Sequence, residues 1–150
     1  MKPKISMWVT VAMLTLGILV WAPKVFHHKT SKGPKTAKEH QQAFQTVWSE
    51  ALKLAEKPDA DERMLAWVAT TLKVDPAQLH QECQQYKLRA PEIFVLYRVR
   101  PKGSTLLTIE DVMGIYDTEK DWYKVIMKRG YYPSLYVSEL EKMIQAGNGK

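Results

Sequence analysis

Ala43-Phe-Gln-Thr-Val-Trp-Ser-Glu-Ala-Leu-Lys-Leu-Ala55 decides the fold class of this chain. Ala43 and Phe44, Val47 and Trp48, Ala51 and Leu52, and Ala55 recur at three- and four-residue steps, which stacks them on one face of a helix and leaves the polar residues on the other. The same period continues downstream. Met64, Trp67, Val68, Thr71 and Leu72 share a face after Asp61, a capping acceptor. Asp75-Pro76 pairs such an acceptor with a residue suited to the first turn, and Leu79, Cys83 and Tyr86 follow. Trp48, Trp67 and Trp122 are expected to bury large surfaces that offset the ordering cost.

Past Pro91 the run Glu92–Val99, with Ile93, Phe94, Leu96 and Tyr97, is apolar enough for a strand or a central helix. Its company is helical, so a helix is expected. Arg98-Val-Arg-Pro-Lys-Gly-Ser is the clearest internal break. Thr108-Ile-Glu-Asp and Thr118-Glu-Lys-Asp each place an acid three residues after Thr, the capping-box spacing. They predict helices over Ile109–Tyr116 and Glu119–Arg129, the second stopped by Gly130. Ser134 is the expected cap of a last helix through Ala146, stopped by Gly147, with Leu140, Met143 and Ile144 inward. The expectation is an all-α orthogonal domain of about six short helices over 40–147, followed by a three-residue tail, 148–150.

Upstream the chemistry changes. Ile5–Ala22 is eighteen residues without a charge, and as a helix it would reach roughly 27 Å, close to a bilayer's hydrocarbon thickness. Trp8 and Trp21 lie near its ends, where indoles settle among headgroups. A transmembrane anchor is therefore expected over 5–22, after a basic tail, 1–4. The competing reading is a cleaved secretion signal, but Val20-Trp21-Ala22 followed by Pro23 is a poor cleavage site, and the uncleaved anchor is preferred.

Charge divides the chain at the same place. Lys2, Lys4, Lys24, Lys29, Lys32, Lys35 and Lys38 face only Glu39 before His40, which leaves +6, the formal charge of the whole chain. The remainder sums to zero, so the pI near 9.3 describes the flanks of the anchor and not a nucleic-acid-binding domain. Residues 23–39 form a basic linker whose Lys24, Lys29, Lys32, Lys35 and Lys38 would lie against anionic lipid. By the positive-inside bias the richer flank sets the domain, by a narrow count, on the cytoplasmic side of the cell (inner) membrane.

From about Ala66 to Arg129, Pro91-Glu-Ile-Phe-Val-Leu, Ile109-Glu-Asp-Val-Met-Gly-Ile-Tyr and Lys120-Asp-Trp-Tyr-Lys-Val-Ile-Met-Lys occur in order. In this the chain resembles a small helical domain of uncharacterised bacterial membrane-tethered or exported proteins. Tyr123 stands where those sequences commonly place Gly. The resemblance implies a helical fold and a membrane or export setting, and no activity.

Sites with chemistry are few. Ser104, Ser134 and Ser138 sit in no nucleophile elbow, and the glycines form no phosphate loop, so no enzyme and no small-molecule substrate is expected. His80 and Cys83 share a helix face but are only two ligands, and His27-His28 has no converging partner. Neither metal nor other cofactor is expected. The pair of helices around Asp117–Asp121 has helix-turn-helix spacing, offering Lys120, Lys124, Lys128 and Arg129 to DNA. Three acids at that end and a neutral domain make nucleic acid the lesser reading. Tyr123, Tyr131, Tyr132 and Tyr136 cluster around a turn and are the candidate surface for a protein partner. The function expected is that of a single-pass membrane-anchored interaction or scaffold protein. The alternatives are a membrane-tethered helix-turn-helix regulator and an exported soluble protein.

Overall fold

Thr36 opens the first helix: its hydroxyl accepts the Glu39 N–H at 3.2 Å, and α1 runs Ala37–Leu54. The computed structural model describes residues 36–100 and 107–149, and these residues are all-α. Six further α-helices follow: α2 Pro58–Leu72, α3 Pro76–Tyr86, α4 Ala90–Val99, α5 Ile109–Glu119, α6 Trp122–Lys128 and α7 Val137–Gly147. A 3₁₀ turn, Pro133–Tyr136, leads into α7. Seven α-helices thus stand where about six were expected. None of them is long and apolar enough to cross a membrane. The anchor expected over 5–22, with Trp8 and Trp21, lies outside the described residues, as do Lys24, Lys29, Lys32 and Lys35.

Helix α4 is the centre. Ile93, Phe94, Val95, Leu96 and Val99 have no exposed surface, which is why the run has no polar face and reads ambiguously as a sequence. Its N-terminus is held by acids from two directions. Glu92, in the first turn, accepts the Arg89 N–H at 3.0 Å and the Trp122 indole N–H at 3.2 Å. Asp61 reaches across from α2 to accept the Ala90 N–H at 3.0 Å. Asp61, expected to cap its own helix, therefore does not. Pro58 takes the first position of α2 instead, and the carboxylate satisfies an orphan amide of another helix.

Helices α1 and α2 both pack on α7. Leu140 and Met143 have no exposed surface and Ile144 little, as their spacing predicts. Helix α7 takes in Gly147 as its last residue, one beyond the expected Ala146, and the positive φ, 73°, falls at Gly149, so it is not backbone conformation that requires glycine at 147. The reason is contact: a Cβ on Gly147 would stand 2.8 Å from Leu54 Cδ2 and 2.8 Å from Met64 Cγ. Ser134 does not cap α7, because the 3₁₀ turn begun by Pro133 runs directly into it. The tryptophans divide. Trp122 is buried, while Trp48 and Trp67 are half-buried, each against an aromatic neighbour: Trp48 stacks on Phe44 at 5.6 Å and Trp67 tilts over Phe94 at 5.6 Å.

Candidate interaction surface

The chain around Asp121 departs from its expected course, and the departure shapes the surface. Thr118 does not cap the second helix of the pair. Its hydroxyl turns back to the Gly114 carbonyl at 3.1 Å, so α5 continues to Glu119 and ends on Lys120, which adopts the left-handed conformation at φ 51°. Asp121 is the cap of α6, accepting the Tyr123 N–H at 2.8 Å. Helix α6 is thereby only Trp122–Lys128, and it buries Trp122, Val125 and Ile126. Its other side carries Tyr123 and, one turn on, Met127.

Gly130, at φ 78°, closes α6 and lets the Tyr131 N–H reach the Ile126 carbonyl at 3.1 Å. The two tyrosines of the turn then part. Tyr131 is half-buried against the core, while Tyr132 is 70% exposed. Pro133 starts the 3₁₀ turn, which sends Leu135 outward at 64% exposure and Tyr136 inward at 5%. Burial pushes the Tyr136 hydroxyl up to about 12. Of the four tyrosines read as one surface, Tyr123 and Tyr132 line a common groove, Tyr131 edges the core and Tyr136 belongs to it.

That groove has a volume of about 430 Å³ and lies between α1, α6 and the 3₁₀ turn. Its wall includes Thr36 and His40 from the start of α1, Tyr123 and Met127 from α6, and Tyr132 and Leu135 from the turn. Met127, Tyr132 and Leu135 are the large apolar side chains that the described residues leave exposed, and all three are here. Sequence reasoning missed Met127 and Leu135. The α6 burial pattern, with Val125 and Ile126 inward, carried the signal for Met127. The 3₁₀ turn that orients Leu135 had no signature beyond Pro133. His40 Nδ1 is enclosed there without a hydrogen-bond partner. Lys38, placed in the linker by sequence, is an exposed residue of the first turn of α1.

The remaining candidate sites are differently engaged. Lys120 pairs with Asp117 at 2.8 Å. Lys124, at 3.8 Å, and Lys128 both pair with Glu119, whose carboxyl the Lys128 ammonium holds below its usual range. Three of the four cations that a helix-turn-helix would turn to phosphates thus pair with acids of the same segment, and Arg129 Nε is enclosed without a hydrogen-bond partner. His80 Nε2 lies 3.5 Å from a Glu62 oxygen, and Cys83 is buried, its thiol pushed up to about 12 by desolvation. Among the described residues no group of three or more His, Cys, Asp or Glu is placed to hold a metal. An open cleft of about 520 Å³ near the end of α4 is lined by Lys73, Tyr97, Arg98 and Arg100. Arg98 there pairs with Glu139, and the Arg100 guanidinium lies over the Tyr97 ring at 4.9 Å.

No family model, curated protein or solved structure matches the chain.

Proposed function

We propose that this protein is a single-pass membrane protein whose orthogonally packed helical domain works by binding, as a non-enzymatic scaffold or accessory subunit at the cell (inner) membrane. The observation that carries the reading is the convergence of Met127, Tyr132 and Leu135 on one groove. Exposed apolar side chains scattered singly need no explanation, but a group on one concave face marks a surface that meets something. The anchor rests on the uncharged run Ile5–Ala22 and its lysine flanks. The lysine count favours the cytoplasmic side. The same setting is the one implied by the resemblance over 66–129.

A binding role accords with the titratable groups. Tyr97 is tied to Glu82 at 2.6 Å, Tyr86 to Glu110 at 2.5 Å and Glu92 to two N–H donors, so these groups work as structural partners. The test is fractionation of cells expressing the full chain, with intact mass on each fraction. Recovery in the alkali-resistant membrane pellet at the full 17.3 kDa is expected. A soluble product beginning near Pro23 would replace the anchored protein with an exported one.

A further inference from the structure

We propose that the groove between α1, α6 and the 3₁₀ turn rests on the lipid–water interface of the membrane that anchors the chain, with Tyr132, Leu135 and Met127 dipping into the headgroup layer. This rests on the anchor reading and names the occupant of the same surface.

Chain length and position supply the first argument. Thr36, on the groove wall, is where the described helical domain begins. Thirteen residues separate it from Ala22, the end of the apolar run, and that number spans at most about 45 Å even fully extended. A tether of that length permits the groove to reach the bilayer surface. Lys24, Lys29, Lys32 and Lys35 fall in that interval, and an anionic leaflet draws such a run toward itself.

The side chains supply the second. Tyrosine with a wet hydroxyl and an apolar ring is a residue of the membrane interface, and Leu and Met beside it give the apolar contact. Among the described residues no acidic side chain lines the groove, so none of them repels lipid phosphate from its wall. A protein partner is less well served. A standard interface takes about 20–30 residues a side, and three exposed apolar side chains are a small part of that.

The test uses the full chain in vesicles of phosphatidylcholine and phosphatidylglycerol, with a nitroxide at Leu135→Cys or, in a separate protein, at Gln84→Cys on α3, which packs on α2 and α4. Cys83 stays in place, because it is buried. Collision with oxygen, which concentrates in lipid, is compared with collision with a water-soluble nickel chelate. The expected result is a several-fold rise in the oxygen-to-nickel ratio at 135 relative to 84. Equal, water-like ratios at both positions in chains that float with the vesicles overturn lipid docking and leave the anchor standing. Loss of both collision rates at 135, with dipolar broadening that grows with protein density, overturns it in favour of a second copy. Chains that fail to float with the vesicles overturn the anchor reading and the docking with it.

Discussion

The guanidinium of Arg63, on α2, donates from Nε at 3.0 Å and from Nη2 at 2.7 Å to the carbonyl oxygen of Gly147, the last residue of α7. One side chain thus supplies two charge-assisted donors to a helix C-terminus, where carbonyls lack partners and the dipole favours a cation. The approach is close enough that Gly147 has no room for a Cβ against Leu54 and Met64. Gly to Ala within a helix ordinarily stabilises by about 0.5–1 kcal/mol. Here the sign is reversed: Gly147→Ala is expected to lose about 1–3 kcal/mol through overpacking. Arg63→Met is expected to lose about 1.5–3 kcal/mol with its charged hydrogen bonds. Urea unfolding measures both.

Asp61 is half-buried, and desolvation raises its pKa above the usual aspartate value of 3.8 despite the Ala90 N–H that stabilises the charge. A carboxyl whose folded pKa is raised binds more protons folded than unfolded. Its contribution is therefore greatest below the unfolded value and declines as pH rises through the folded one. Asn keeps the acceptor for the Ala90 N–H without a charge to bury. The stability of Asp61→Asn relative to the native chain is expected to grow as pH rises from below 3.8 toward neutrality. Asp61→Ala removes the acceptor and is expected to cost about 1–3 kcal/mol. Unfolding curves across that pH range decide both.

Cys83 is expected to resist thiol reagents while the domain is folded. A pKa moved from 9.0 to about 12 leaves roughly a thousandfold less thiolate near neutral pH, and burial blocks access as well. Maleimide labelling should rise with urea in step with unfolding. Prompt labelling of the native chain would mean that α3 opens locally.

The tyrosines of one short segment are expected to separate by energy. Tyr136→Ala empties a core site and should cost about 3–5 kcal/mol, as large aromatic truncations do. Tyr132→Ser, at an exposed position, should change stability by no more than about 0.5 kcal/mol. Thermal unfolding of the two variants makes the comparison. Equal losses would place Tyr132 in the core and remove the groove as a surface.

Much of the fold was legible where one signal acted alone. The Phe44, Ala51 and Ala55 face, the Asp75-Pro76 start and the Leu140, Met143 and Ile144 face all lie as their spacing predicts. The boundaries that moved are those where a polar side chain had two possible partners. Thr118 had its own helix carbonyl to bond as well as a cap to make, and Asp61 had a distant amide that no local pattern reveals. Gly147 reads as a helix stop, yet what requires glycine there is contact with Leu54 and Met64, which adjoin it only in three dimensions. The groove was half legible for the same reason. Tyr123 and Tyr132 stood out by composition. Tyr136 could not be told from them without the 3₁₀ turn, which reverses the outward direction between positions 135 and 136.

Lipid docking predicts that the groove beside Tyr132 is occupied at the membrane. A benzophenone side chain at position 132 of the full chain, irradiated in native membranes beside a matched protein carrying it at Gln84, reports the occupant. Intact mass is then read on each. An adduct from 132, of phospholipid mass, with none from 84, is the result expected. Equal recovery of unmodified chain from both positions, in protein that stays with the membrane, would overturn lipid docking and leave Tyr132, Leu135 and Met127 as a solvated face.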